Sequence, residues 1–199
     1  MMHNYPTFVL LATLLILVPG PDYILLTKNT IAGGQVSGFK TLLGCLSALV
    51  IHTTFAVVGL SAILVKSAVL FTTIKWVGAA YLVYLGIKAL FQKDVAETTE
   101  QKKGNLYLQG LLTNLLNPKV AVFFLTFLPQ FVTTDGNWLD FSTLGLTYVF
   151  LTGFIFSGYV LSLNKVKNVM QNPKVKLVIN KISGIFLLGF GVKLMTESN

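Results

Sequence analysis

Polar positions are scarce along this chain and gather between long apolar runs, which cover about 6–27, 41–65, 72–91, 106–128, 141–163 and 178–196. A helix needs roughly 20 apolar residues to cross a bilayer. The pattern therefore predicts an all-α polytopic membrane protein of six transmembrane helices. Two of the runs are interrupted, the first at Pro19-Gly20-Pro21-Asp22 and the fourth at Asn117-Pro118-Lys119. Hydrocarbon cannot hydrogen-bond freed backbone, so a broken membrane helix survives only where protein or a water-lined cavity surrounds the break. Breaks that recur at corresponding places in two halves of a chain point to a transporter's binding site.

The one hydrophilic connector of note, Gln92 to Gly104, carries Lys93, Asp94, Glu97, Glu100, Lys102 and Lys103 and reads as a solvated loop. It divides a single transporter domain, residues 1–199, into repeat one (1–91), a linker (92–104) and repeat two (105–199). The frame Lys75-Trp76 to Gly86-Ile87-Lys88 matches Lys181-Ile182 to Gly191-Val192-Lys193 at offsets of 106 and 105 residues, and the two breaks lie 97 apart. The helix between each pair of lysines covers roughly 20 Å, short of the ~30 Å hydrocarbon core, and snorkelling lysines can make up the difference. Glycine-rich apolar helices also resemble one another by composition alone. If the repeat is real, each half has an odd number of spans, so the second is inverted relative to the first. The expected fold is two inverted three-helix repeats with broken helices 1 and 4.

Composition strengthens the membrane assignment: 54% of the 199 residues are hydrophobic, 11% are charged, and mean hydropathy is +0.73. The net charge of +8 comes from 15 basic residues, every one a lysine. Without arginine the planar fork suited to phosphate recognition is missing, and the lysines sit in short connectors, which suits anionic headgroups and argues against nucleic acid. Lys28, Lys40, Lys88, Lys93, Lys102, Lys103, Lys165, Lys167, Lys174, Lys176 and Lys181 flank connectors 1-2, 3-4 and 5-6, against Lys66, Lys75 and Lys193 on the other side. The positive-inside rule then predicts both termini outside. Cys45 is alone within an apolar run, which excludes an internal disulfide and a cysteine-based metal site. No lysine or arginine precedes the first apolar run and no small-residue cleavage site precedes Pro19, so residues 1–27 read as a span rather than a removed signal peptide.

The candidate chemistry is concentrated at the breaks. Asp22 is the one acidic residue within a span, and Lys119 the one lysine far from both ends of its span. A charge at that depth costs at least ~2.5–3.5 kcal/mol, so each must face the interior with a partner or a task. Pro21 and Pro118 can each start a half-helix, with Asn117 as N-cap of the second. Two half-helix N-termini near the midplane would favour an anion. Lys119 could reinforce that, and Asp22 could hold an ammonium, an arrangement that fits a zwitterion. Pairing of Asp22 with Lys119 is the alternative. Gly20 reads as a hinge, together with Pro19, Pro21 and Pro118, or as room for close helix packing. His52 lies mid-span and is open to proton relay or to a satisfied interior role. Asn114, one turn before the second break, can satisfy freed carbonyls or touch substrate. Tyr81 and Tyr84 read as packing aromatics, and Gln130 as a helix-end cap.

Val18-Pro19-Gly20-Pro21-Asp22, Trp76-Val77-Gly78-Ala79-Ala80-Tyr81-Leu82-Val83-Tyr84-Leu85-Gly86 and Gly110-Leu111-Leu112-Thr113-Asn114-Leu115-Leu116-Asn117-Pro118-Lys119, running on to Phe127-Leu128-Pro129-Gln130-Phe131, together resemble the LysE/RhtB family of bacterial amino-acid exporters. The resemblance covers essentially the whole chain. It implies export of amino acids such as homoserine, threonine, leucine or lysine across a bacterial inner membrane, driven by the proton motive force. By the same analogy Asp22 and Asn117-Pro118-Lys119 lie at the translocation site. Taken with the reading of the breaks, the substrate is expected at Gly20, Pro21, Asp22, Asn114, Asn117, Pro118 and Lys119, and proton coupling at Asp22 and His52. No second buried carboxylate exists for a dibasic substrate, which favours neutral amino acids. The expected partners are an amino acid, protons and the bilayer, with a homodimer allowed and no cofactor or metal. A metal-cation exporter is the rival, but metals want clustered ligands, and the interior offers only Asp22, His52 and Cys45, with Lys119 opposing. An intramembrane protease needs two acids or a His-Glu cluster, so no enzyme is expected.

Overall fold

The computed structural model describes residues 4–66, 104–132 and 137–170 continuously, and isolated positions within 69–91 and 172–192. The linker at 92–103 and the outer lysines of the predicted repeat, Lys75, Lys88 and Lys193, lie outside the described residues, as does Tyr81. Among the described residues every long element is helical. α1 (Tyr5–Leu17) has Pro6 in its first turn and ends at Val18, whose backbone is extended at φ −60° and ψ 119°. Pro19 and Gly20 carry the chain into α2 (Pro21–Lys66). Pro21 suits a helix start because the N–H it lacks would have gone unpaired there.

α2 is not one rod. Gly34 sits at φ 75° and ψ −175°, a region that essentially only glycine occupies. Asn29 Nδ2 donates to Thr41 Oγ1 at 2.9 Å, whereas twelve residues of straight helix would separate them by ~18 Å. The helix folds back at Gly34, so the connector expected at 28–40 is a glycine-centred reversal between two helical arms. Gly38 makes it tight: a Cβ there would meet Thr30 Oγ1 and Val160 Cγ1.

The second half begins with α3 (Leu106–Leu115), capped by Asn105 Oδ1, which accepts from the N–H groups of Tyr107 and Leu108 at 3.0 and 3.3 Å. After Leu116 and Asn117 the chain restarts as α4 (Pro118–Val122), widens into a π turn over Phe123–Phe127 and tightens into a 3₁₀ turn over Leu128–Phe131. Pro129 cannot donate to the carbonyl four residues back, and the ladder changes register just ahead of it. Gln130 Nε2 donates to the Thr126 carbonyl at 3.2 Å, the end-capping contact expected of it. α5 (Trp138–Met170) opens with a reciprocal cap in which Leu139 N–H donates to Asn137 Oδ1 and Asn137 N–H to Asp140 Oδ2.

By length and composition, Pro21–Gly59, which holds the reversal at Gly34, and Trp138–Leu163 suffice to cross a bilayer, and Leu106–Leu115 with Lys119–Phe131 forms a third candidate bent by 51°. α1 and the first arm of α2 run parallel to α5, with Tyr5 Oη 2.9 Å from Thr147 Oγ1 and Thr27 Oγ1 2.7 Å from Tyr159 Oη. The second arm runs antiparallel to α5, since Gly38 faces Val160, Gly153 faces Leu46 and Gly145 faces Thr53. Lipid gives little hydrophobic force between helices, so close packing must hold them. α3 supplies it: a Cβ on Gly110 would lie 2.1 Å from the Thr41 carbonyl oxygen, and one on Gly44 would lie 2.0 Å from that of Tyr107. Outward-facing positions such as Phe150 and Phe154 are 75% and 81% exposed, a surface suited to acyl chains.

Candidate functional site

The two broken helices meet at their breaks. Phe8 packs on Phe127 and Phe131, with ring centroids 6.1 and 5.3 Å apart. Lys119 reaches Leu15 and Val18, and Asn117 and Asn114 reach Asp22. Residue numbers rise along one segment as they fall along the other, so α1 with the start of α2 runs opposite to α3 with α4. The prolines that reopen the helices therefore lie at one level.

Asp22 is buried, and its Oδ2 accepts from Asn117 Nδ2 at 2.8 Å and from Asn114 Nδ2 at 3.0 Å. Lys119 Nζ donates to the carbonyls of Val18 at 3.0 Å and Leu15 at 3.2 Å. These carbonyls lie at the C-terminal end of α1, where the chain leaves the helix and the dipole is negative. Asp22 and Lys119 thus do not pair directly: amides from the second half solvate the carboxylate, and backbone from the first half solvates the ammonium. Gly20 makes room for this, because a Cβ there would sit 3.3 Å from Lys119 Nζ. Asn117 does two jobs, since its Oδ1 also caps α4 by accepting from Lys119 N–H at 3.0 Å. With Val120 and Ala121 N–H both bonded to the Asn117 carbonyl, the N-terminus of α4 has little to offer an anion. On the α4 side, an anion must look to the Lys119 side chain.

A cavity of about 10 Å³ lies beside these groups, reached by Asp22, Asn114 and Lys119, about enough for one water molecule. Two acceptors, Asp22 Oδ1 and Asn114 Oδ1, are buried here without a hydrogen-bond partner. Asn114 Nδ2 donates to the acid, and its Oδ1 is left without a partner. Across the cavity α5 presents Tyr148 and Thr152, one helical turn apart, and Thr152 Oγ1 is likewise unpartnered. Ile16, Leu49, Val120 and Phe156 complete an apolar wall. The sequence reading missed the α5 pair, because a hydroxyl in an apolar span looks like any other until the fold shows what it faces.

His52 stacks on Phe124, with ring centroids 5.5 Å apart, and has a buried, unpartnered Nε2. Cys45 is buried, with Sγ 3.5 Å from the Gly110 carbonyl. Among the described residues no three of His, Cys, Asp and Glu come together as a metal site would require.

The profile of the LysE type translocator family matches residues 13–198. The chain is 36% identical to the uncharacterized membrane protein YrhP of Bacillus subtilis, over 96% of its own length and 98% of that relative. It is 31% identical to a homoserine/homoserine lactone efflux protein of Salmonella typhi, over 91% of each. With a leucine efflux protein of Salmonella choleraesuis it shares 29% identity over 97% of this chain and 95% of that one. No solved structure gives a significant match. A membrane chain matched from residue 13 to residue 198 belongs to the LysE type translocator family.

Proposed function

We propose that this protein exports neutral amino acids from the cytoplasm, coupled to inward movement of protons, and that the substrate binds where the two broken helices meet. The observation that carries this is the pair of buried, unpartnered acceptors, Asp22 Oδ1 and Asn114 Oδ1, in one cavity with Lys119. Two acceptors, one of them charged, suit an ammonium group. A lysine suits a carboxylate, and the apolar wall suits a neutral side chain. Relatives named for homoserine and leucine efflux support the same reading.

The mechanism follows from what must change for a substrate to enter. A cavity that holds one water cannot hold an amino acid, so this arrangement is a closed state. In it Lys119 ties the end of α1 to α4 through two backbone carbonyls. A substrate carboxylate competes for that ammonium, loosens the tie and lets the halves part, while the ammonium takes the open oxygens of Asp22 and Asn114. Protonation of Asp22 from outside, relayed by His52 beside Asn114, then weakens the ammonium contact and releases the substrate. One charge moved through 100 mV supplies ~2.3 kcal/mol, enough for about fifty-fold accumulation.

The opposed directions of the two broken helices support two inverted three-helix repeats, with Gly20, Pro21 and Pro118 at the moving joint. The lysine distribution supports a bacterial inner-membrane location with both termini outside. The test is export from proteoliposomes preloaded with labelled homoserine, threonine, leucine or lysine, with and without an imposed proton gradient. Gradient-stimulated export of a neutral amino acid is expected. Gradient-stimulated nickel or cadmium export with no amino-acid movement would replace this reading with the metal one.

A further inference from the structure

Five threonines are buried among the described residues, at positions 30, 41, 53, 126 and 152. Four of them donate to the carbonyl four residues earlier, at 2.6 to 3.0 Å. That is the ordinary way for a helical hydroxyl to be satisfied in an apolar setting. Thr152 does not. It is 4% exposed, its Oγ1 has no partner, and it lines the cavity that Asp22, Asn114 and Lys119 share. A buried polar group left unpaired costs on the order of 1–3 kcal/mol, so an unpaired hydroxyl beside a binding cavity calls for a ligand.

We propose that Thr152 determines specificity by hydrogen-bonding a hydroxyl on the side chain of the substrate, so that the protein prefers hydroxylated small amino acids over their deoxy counterparts. This rests on the export reading above. The α-ammonium is matched by Asp22 Oδ1 and Asn114 Oδ1, and the α-carboxylate by Lys119. Thr152 stands on α5, which carries neither of those charges, and the cavity is otherwise lined by apolar side chains such as Leu49 and Phe156 and by the tyrosines Tyr23 and Tyr148. A neutral hydroxyl that both donates and accepts, in a lining otherwise free of charge on that side, complements another hydroxyl. A site built around such a bond rejects a substrate that lacks it, because its own group is then left unpaired.

The experiment measures, in proteoliposomes, the ratio of homoserine to 2-aminobutyrate export and of threonine to valine export, for the parent, Thr152→Val and Thr152→Ser. A ratio taken within one variant does not depend on how much active protein survives. The expected result is a parent ratio of roughly ten or more, a fall towards one in Thr152→Val, and recovery in Thr152→Ser. Equal ratios in parent and Thr152→Val overturn the assignment while leaving amino-acid export standing, as does a parent ratio near one. If the parent moves no amino acid at all, the export reading and the assignment fall together.

Discussion

Asp22→Asn separates the role of the carboxylate in binding from its role in the fold. Asp22 Oδ2 holds the amides of Asn117 and Asn114 at 2.8 and 3.0 Å, whereas Oδ1 holds nothing. An asparagine can keep its carbonyl oxygen in the Oδ2 position and both amide contacts with it. Its own amide then replaces Oδ1, which holds no bond to lose, so the folded state loses little. On the proposed reading, the substrate's ammonium loses its charged acceptor, a contact of about 1.5–3 kcal/mol, which is about a ten- to hundred-fold weaker interaction. On the same reading coupling goes as well, because the amide cannot take up a proton. In proteoliposomes Asp22→Asn is expected to export down a gradient with a raised apparent KM and to fail to accumulate substrate when a proton gradient is imposed. Thermal unfolding in detergent should stay near that of the parent. Asp22→Ala should differ, since it strands two buried amides at about 1–3 kcal/mol each and lowers the unfolding midpoint. Accumulation by Asp22→Asn equal to that of the parent would refute the coupling role outright.

Lys119→Met keeps the stem of the side chain but removes two charge-assisted contacts to α1, so the unfolding midpoint should fall and export should cease; parental stability would mean that the tie between α1 and α4 is not structural. Gly110→Ala places a methyl 2.1 Å from the Thr41 carbonyl oxygen and should cost about 1–3 kcal/mol through overpacking, read as a lower midpoint in detergent, with an unchanged midpoint showing that α3 and α2 are not in close contact. Gly34→Ala forces a side chain into a glycine-only backbone region and should cost about 1–3 kcal/mol. Because nothing lies within 4 Å of the Cβ position, a larger residue there should cost no more than alanine, and a steep dependence on side-chain size would show that the strain is steric instead.

The breaks were legible because proline and charge are conspicuous in apolar sequence and because bilayer physics limits where they can go. Asn117 as a cap was legible for a similarly local reason, its place just before Pro118. What the sequence could not show is which of two compatible contacts a side chain makes. Asn114 was open to carbonyls or substrate, and it is the fold that turns its nitrogen to Asp22 and leaves its oxygen free. The reversal at Gly34 sat inside a stretch read as a connector, and Gly33-Gly34 alone does not say which glycine takes the positive φ. The contacts of Asn29 with Thr41 and Gln109 join residues 12 and 80 apart, and Thr152 meets the cavity only through the packing of α5 on the other helices. Periodicity within one helix carries no information about such partners.

The separation of Asp22 from Lys119 bears most directly on how such a site can work. A direct buried ion pair would have to be broken before either charge could meet a substrate, and removing one partner of such a pair costs about 3–5 kcal/mol. A zwitterion would have to supply that from its own contacts. Here each ion is already solvated by neutral groups of the other half, amides for the carboxylate and carbonyls for the ammonium. Asp22 keeps one oxygen in reserve, and the ammonium needs to give up only neutral acceptors to take a charged one, an exchange that favours the substrate. The solvating contacts all cross between α1–α2 and α3–α4, so engaging the substrate acts on the same bonds that hold the two broken helices together. On the proposed reading, substrate binding and release of the closed state are therefore one event, because the same contacts serve both.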